Sequence, residues 1–256
     1  MKISIITVAF NNKSVIKDCI NSVYKQSYSD IEHIIVDGNS KDGTIDVIKK
    51  YKKKNTKIIS EPDKGIYDAL NKGVKIATGD VIGILHADDI FKNNQVLKEV
   101  IKLFKQNIYI DALAGNVVFF NTKKNNIENR IIRSDIFRPW MLRFGFMPAH
   151  TATFIKRSVF KKFGLYDASF KSAGDFEFLL KLILVNKVNF FYLKKTLVRM
   201  RTGGVSTSGM QSYIRTSIEI LYALRKNGFY SNYLFVLLRL PVKQIGKLIF
   251  KLRNLK

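Results

Sequence analysis

Two adjacent carboxylates, Asp88 and Asp89, close an apolar run that reads Val81-Ile82-Gly83-Ile84-Leu85-His86-Ala87. An apolar stretch of that length, bounded by polar residues, reads as a buried strand. The two acids therefore stand where a buried strand surfaces, and in open α/β sheets ligands bind at the carboxyl ends of strands. Side-by-side carboxylates repel each other, so a bound cation is a physical reason to keep both ionised. For an isolated Asp-Asp pair a solvated turn is the plainer reading, and the rest of the chain has to decide. Two other apolar runs end in the same manner. The first ends at Thr7-Val8-Ala9-Phe10-Asn11-Asn12 and the second at Asp37-Gly38-Asn39-Ser40. In a parallel sheet all three ends lie on one edge, where a single ligand can touch them all. Phe10 is placed to stack on a base and Asp37 to accept a hydrogen bond from a base N–H. A core phenylalanine and a capping aspartate are the alternatives.

The elements that must position these residues follow from periodicity. Residues 3–10, 31–36, 57–60 and 81–85 are expected strands. Between them, helical spacing covers 15–24 (Val15, Cys19, Ile20, Val23), a segment capped by Thr44 and running to about 51, and 66–77; a further helix is expected at 94–106. Strand and helix alternating in this way predict a Rossmann-like, mostly parallel α/β sheet with helices on both faces. After about residue 110 the alternation loosens. Strands are expected at 112–120, 152–155, 188–192 and 195–200, helices at 158–163 and 176–185, and an irregular stretch at 131–147 holding Trp140. Gly203-Gly204 is a break, and the composition beyond it is helical.

The chain has 256 residues, enough for one sizeable core or a core with an appendage, and a net charge of +24. Residues 1–128 hold 20 Lys/Arg against 15 Asp/Glu, whereas residues 129–256 hold 24 against 5. A basic second half attracts polyanions such as phosphorylated substrates, anionic lipid or nucleic acid. It also makes its five acids conspicuous: Asp135, Asp167, Asp175, Glu177 and Glu219. The single cysteine, Cys19, reads as a buried thiol in a reducing compartment and excludes a disulfide framework. The opening residues lack the order of a signal peptide, and no run of eighteen apolar residues reads as a spanning helix. A cytoplasmic location is expected.

The ordered set of motifs resembles the family 2 glycosyltransferases of the GT-A fold. Besides the three strand ends, the matching stretches are Lys41-Asp42-Gly43-Thr44, Glu61-Pro62-Asp63-Lys64-Gly65-Ile66-Tyr67-Asp68-Ala69-Leu70-Asn71-Lys72-Gly73 and Ala77-Thr78-Gly79-Asp80. His86-Ala87-Asp88-Asp89, Phe163-Gly164-Leu165-Tyr166-Asp167 and Ala173-Gly174-Asp175-Phe176-Glu177 complete it. The resemblance covers roughly residues 3–206, and it implies a catalytic domain with a nucleotide-sugar half to about 110 and an acceptor half from 111. It implies that Thr7, Ala9, Phe10 and Asp37 line the nucleotide site, that Lys64 and Asn71 approach the donor diphosphate and sugar, that Asp88 contacts the ribose and that Asp89 holds a divalent metal, Mn²⁺ or Mg²⁺. Asp175 maps to the base that takes the acceptor's proton. The chemistry agrees, because inverting sugar transfer needs a carboxylate opposite the leaving group. A helix-start acid favoured by the macrodipole is the alternative reading of Asp175. Many relatives carry a metal-binding His where this chain has Arg201; a guanidinium cannot ligate a cation but can grip a diphosphate. Gly38 stands where many members have a second Asp. His150, in Met147-Pro148-Ala149-His150-Thr151, falls on the acceptor side, with a structural role as the alternative.

Residues 207–256 read as a basic amphipathic helical tail. Val242, Ile245, Ile249 and Leu252 share one face, Lys243, Lys247 and Lys251 another, and no acid follows Glu219. Such a helix can lie on an anionic membrane, which suits an acceptor glycan carried on a polyprenyl diphosphate. The expected activity is inverting, metal-dependent transfer from a nucleotide-sugar, with UDP the expected nucleotide, to a glycan hydroxyl in surface polysaccharide biosynthesis. A basic nucleic-acid-binding protein is the competing class; it wants basic clusters interleaved with exposed aromatics, and an acidic sheet edge would repel a phosphate backbone. A sugar-nucleotide nucleotidyltransferase would want a glycine-rich loop after the first strand, where this chain has Asn11-Asn12-Lys13-Ser14.

Overall fold

The computed structural model describes residues 1–121, 127–202, 209–242, 244, 245 and 250. The Gly203-Gly204 break, the expected boundary at 206, and Lys243, Lys247, Ile249, Lys251 and Leu252 of the tail lie outside the described residues.

Strands β1 (Ile3–Ala9), β2 (Ile31–Asp37), β3 (Thr56–Ser60) and β4 (Val81–Ile84) are laid side by side in the order β3-β2-β1-β4, all parallel. β1 is central and buried along its whole length, which its unbroken Ile-Ser-Ile-Ile-Thr-Val-Ala run allows. Helices α1 (Ile16–Tyr24), α2 (Thr44–Tyr51) and α4 (Val96–Gln106) cover one face of the sheet, and α3 (Ile66–Ile76) covers the other. The inward stripe of α1 is Ile16, Cys19, Ile20 and Val23, and Cys19 is a buried free thiol.

The expected parallel sheet is present on this side of the molecule; beyond β4 the pairing is mixed. β8 (Thr153–Lys156) runs antiparallel to β4 and to β6 (Ala112–Asn121). β7 (Ile127–Ile132) runs antiparallel to β6, and β9 (Phe190–Arg201) is parallel to β6 while the two-residue β5 (Ile90–Phe91) pairs antiparallel with it. Antiparallel neighbours need no helical crossover, which is why strand and helix cease to alternate in the sequence. β5 and β7 escape a periodicity reading because one is too short and the other is partly exposed. β9 is one strand rather than the two expected: the polar Leu193-Lys194-Lys195 is absorbed as a bulge, where the register jumps from Ala114↔Tyr192 to Asn116↔Thr196.

Helices α5 (Arg157–Phe163), α6 (Gly174–Leu180), which continues as a π-turn over Lys181–Val185, and α7 (Gly209–Lys226) join α3 on the second face. Ile220, Leu221, Ala223 and Leu224 of α7 belong to the same core as Phe176 and Phe178 of α6. A short α8 (Tyr233–Leu237) packs on α7 and on the 3₁₀ turn Pro139–Phe144, where Phe144 stacks on Phe235 at 4.9 Å.

The amino ends of β1, β2 and β4 are tied by one buried carboxylate. Glu32 accepts from Ser4 Oγ at 2.6 Å, from Thr78 N and Oγ1 at 2.8 Å each, and from Lys57 Nζ at 2.8 Å. Burial raises its pKa, yet Lys57, Ser4 and Thr78 together hold it down to about 2. A depressed carboxylate stabilises the fold above its unfolded pKa and loses that contribution as the pH falls through the folded one. We expect Glu32→Ala to cost about 2 kcal/mol in urea unfolding at pH 7. The gap from wild type should close as the pH falls from 4.5 toward 2.

Candidate active site

The carboxyl edge of the parallel strands is brought level by hydrogen bonds that continue the ladder past its ends. Gly38 N–H reaches Ala9 O at 2.9 Å, Leu85 N–H reaches Ile6 O at 3.0 Å, and Ala87 N–H reaches Val8 O at 3.3 Å. The loops after β1 and β2 are laced together. Asn11 N–H donates to Ser40 Oγ and Asn12 N–H to Thr44 Oγ1, both at 2.8 Å, and Lys13 N–H donates to Asp42 at 3.0 Å. Asn11 and Asn39 adopt left-handed φ of 54° and 63°, which asparagine tolerates. Thr44, expected as a helix cap, is the first residue of α2; its hydroxyl serves Asn12, and Gly43 takes the cap position.

The residues assigned to the donor are placed in three ways. Phe10 is 63% exposed at the end of β1, and Lys64 is exposed just before α3. Ala9 is buried at the end of β1, with its carbonyl accepting from the Gly38 amide. Thr7 and Asp37 turn inward. The Thr7 hydroxyl lies 3.0 Å from His33 Nε2 and 3.7 Å from Cys19 Sγ. Asp37 is 0% exposed, with Oδ1 accepting from Ser40 Oγ and Oδ2 from Ser40 N at 3.2 Å and Ser60 Oγ at 2.8 Å. Its carboxylate is tied to the β2–α2 turn and to β3. Asn71 is committed too: Nδ2 donates to Tyr166 O at 2.8 Å and Oδ1 accepts from Tyr166 N at 3.0 Å. It clamps the loop after α5.

Arg201, at the end of β9, is carried to the Asp88-Asp89 turn. Its Nε donates to Asp88 O at 3.3 Å and its Nη2 pairs with Asp18 of α1 at 2.8 Å. Asp89 is buried, and both its carboxylate oxygens lack a hydrogen-bond partner, as does the buried hydroxyl of Thr151. Burial first, then the charge of Asp88, raise the Asp89 pKa well above the carboxylate range, against the opposing pull of Arg201 and Thr151. A buried carboxylate without partners fits a cation. Among the described residues no group of three or more His, Cys, Asp or Glu forms a cage for one. Further ligands would have to be diphosphate oxygens and water, the arrangement Mg²⁺ favours.

Asp175 sits in the first turn of α6. Oδ1 accepts from Tyr67 Oη at 3.1 Å and from Phe176 N at 2.8 Å. Burial raises its pKa, while those two donors and His86 lower it. Gly174 is what admits Tyr67: a Cβ there would stand 2.8 Å from the ring. His86 is within electrostatic range of Asp88 and of Asp175. Its pKa is pushed to about 4, by burial first and then by His150, and both Asp88 and Asp175 act on it in the other direction. Its ring centroid is 6.0 Å from that of His150, and His150 Nε2 meets Tyr166 Oη at 2.9 Å. His150 is buried, and burial brings its pKa to about 4.

A profile of the family described as "Glycosyl transferase family 2" matches residues 4–164. The chain belongs to that family. An uncharacterized glycosyltransferase of Mycobacterium tuberculosis is 31% identical over 184 residues, covering 72% of this chain and 69% of that one. A "PGL/p-HBAD biosynthesis glycosyltransferase" of the same organism is 26% identical over 186 residues, covering 70% and 68%. Among solved structures, Staphylococcus aureus TarS in complex with UDP-GlcNAc superposes with a TM-score of 0.66 at 18% identity, covering 90% of this chain and 68% of that one. A mannosyltransferase of Pyrobaculum calidifontis, in complex with GDP-Man and Mn²⁺, gives 0.65 at 17%, covering 88% and 63%. This family 2 member therefore has the GT-A fold and is a glycosyltransferase, as the motifs imply.

Sequence reasoning passed over His86, Tyr67, Tyr166 and Thr151. His86 was visible in His86-Ala87-Asp88-Asp89 but read as part of a buried run, and the others carry no spacing signal because three separate segments bring them together. We expect Asn71→Ala to leave the buried N–H and C=O of Tyr166 unpaired and to cost about 2 kcal/mol in stability, measured by urea unfolding.

Proposed function

We propose that this glycosyltransferase inverts configuration at the sugar carbon it transfers, uses a nucleotide-sugar with UDP as the nucleotide, and depends on Mn²⁺ or Mg²⁺. The reading is supported by one observation: Asp88 and Asp175 both act on the His86 imidazole, so the acid assigned to the donor and the acid assigned to the acceptor lie within electrostatic range of one side chain.

Asp175 takes the proton of the acceptor hydroxyl as that oxygen attacks the anomeric carbon. The carbon–phosphate oxygen bond breaks on the opposite face, and the nucleoside diphosphate leaves. Burial makes Asp175 a stronger base than an exposed aspartate, while Tyr67 and the Phe176 amide keep it ionised and aimed. A divalent ion held by Asp89 would act as a Lewis acid on the diphosphate. Arg201 stands beside the same turn and adds a fixed positive charge for the leaving group. Lys64 approaches the donor from the head of α3. His150, braced by Tyr166, walls the acceptor side.

We place the reaction in surface polysaccharide assembly, with a lipid-linked glycan as acceptor and residues 207–256 as the segment that meets an anionic membrane on its cytoplasmic side. Supporting this, Tyr230, Tyr233, Leu234, Val242 and Ile245 are exposed apolar side chains in the basic half. No helix among the described residues is long and apolar enough to cross a membrane. Flotation with phosphatidylglycerol vesicles should carry the protein, and phosphatidylcholine vesicles should not; equal behaviour removes the membrane role.

A donor screen scored by nucleotide release tests the reaction. Turnover of a UDP-sugar should need added Mn²⁺ or Mg²⁺ and stop with EDTA. Asp175→Asn should lower kcat by about 100- to 10,000-fold with donor affinity kept, and Arg201→Ala should lower kcat as well. Tyr67→Phe removes a donor that lowers the Asp175 pKa, so the acid limb of the kcat/KM profile should move to higher pH. An unmoved limb would remove Asp175 as the base.

A further inference from the structure

Glu219, one of the five acids in the basic half, is used differently from its neighbours. Asp135 pairs with Arg133 and Asp167 with Lys226, and Glu177 lies 3.9 Å from Lys181. The Glu219 carboxylate meets backbone instead. Oε1 accepts from the Lys171 amide at 3.1 Å, and Oε2 accepts from the amides of Ser172 and Ala173 at 2.8 Å each. These residues lead into α6, and Ala173, at its cap position, brings no side-chain cap of its own. Amides at the head of a helix lack partners within it, and a charged acceptor holds them more firmly than a neutral one. Asp175 follows with only Gly174 between, and Gly174 can carry no anchoring side chain because the Tyr67 ring fills that space. Asp175 is thus aimed from two sides. Tyr67 and the Phe176 amide hold its Oδ1, and Glu219 holds the backbone from which it departs. The platform is firm: Ile220, Leu221, Ala223 and Leu224 of α7 share a core with Phe176 and Phe178. Phe170 packs on Tyr222 with 5.6 Å between ring centroids, and Asp167 pairs with Lys226, so the same loop is tied to the same helix three times.

We propose that Glu219 is a positioning residue for Asp175, which makes α7, beyond the residues matched by the family profile, part of the catalytic unit. This inference rests on the reading of Asp175 as the base. Without the Glu219 carboxylate, residues 171–173 regain freedom, and a displacement of about 1 Å at a catalytic group costs on the order of a hundredfold in rate. The nucleotide is assigned to the loops after β1 and β2, so its binding is expected to be unaffected.

Nucleotide release from UDP-GlcNAc, UDP-glucose and UDP-galactose with Mn²⁺ tests this on wild type, Glu219→Ala, Asp175→Asn and the double variant, each shown to be folded by circular dichroism. Glu219→Ala should lower kcat about 10- to 100-fold with the donor KM kept within about twofold. In the Asp175→Asn background the same change should alter kcat by less than about twofold, because positioning acts only through the carboxylate it positions. A merely structural role would lower kcat by the same factor in both backgrounds, which overturns the inference; so does an unchanged kcat in Glu219→Ala. Glu219→Gln keeps the length and one oxygen for the amides, so it should recover part of the loss, and it carries the same cycle if Glu219→Ala does not fold. If Asp175→Asn leaves kcat intact, the reading of Asp175 as the base fails and this inference falls with it. If only the Glu219 variants are silent, that reading stands and this inference alone fails. Release from none of the three sugars removes the UDP-sugar reading and this inference together.

Discussion

A carboxylate buried without a partner is the constraint around which the cleft is organised. Asp89 is 0% exposed and neither oxygen has a partner at good hydrogen-bond geometry, although the Arg201 backbone and the Thr151 hydroxyl lie close enough to draw its pKa down. An isolated carboxylate in such a place is strongly disfavoured in its charged form, and the acid next to it, Asp88, makes matters worse. The fold answers with one cation of its own, Arg201, delivered from the far end of the longest strand. Arg201 also spans to Asp18 on α1, so its charge is divided between an interior and a surface acid. That leaves the Asp89 charge under-compensated.

The opposite wall is held by contacts of a different kind. Asp175 is aimed by a phenol from α3, and α3 reaches α6 only because residue 174 lacks a side chain. The same helix contributes Asn71, whose two bonds to the Tyr166 backbone set the loop that braces His150. One helix from the parallel half of the sheet thus organises α6 and the loop after α5. The motif around residues 61–73 serves as a structural strut.

The parallel half of the sheet was legible because its strands are buried on both faces and its helices carry stripes such as Ile16, Cys19, Ile20 and Val23. Beyond residue 110 that legibility fell. β7 has a partly exposed, irregular pattern, β9 hides a polar bulge, and the 3₁₀ turns at 139–144 and 150–152 have no long period to detect. α7 read only as helical composition, and its place in the core beside α6 depends on where the chain turns back.

Residue type and order alone determined which chemistry was present: a surfacing pair of acids, an aromatic at a strand end, and one acid at a helix start within a basic half. They also determined the family, because motifs in fixed order survive without coordinates. Only the tertiary structure decided which carboxylates are free to act. Asp37 and Asp89 both follow buried strands in the sequence, yet Ser40 and Ser60 hydroxyls reach the first while neither oxygen of the second has a partner at good hydrogen-bond geometry. The reason is that hydrogen-bond commitment depends on partners distant in the chain, as Ser60 is from Asp37, and the residues around a carboxylate do not encode which distant group will meet it.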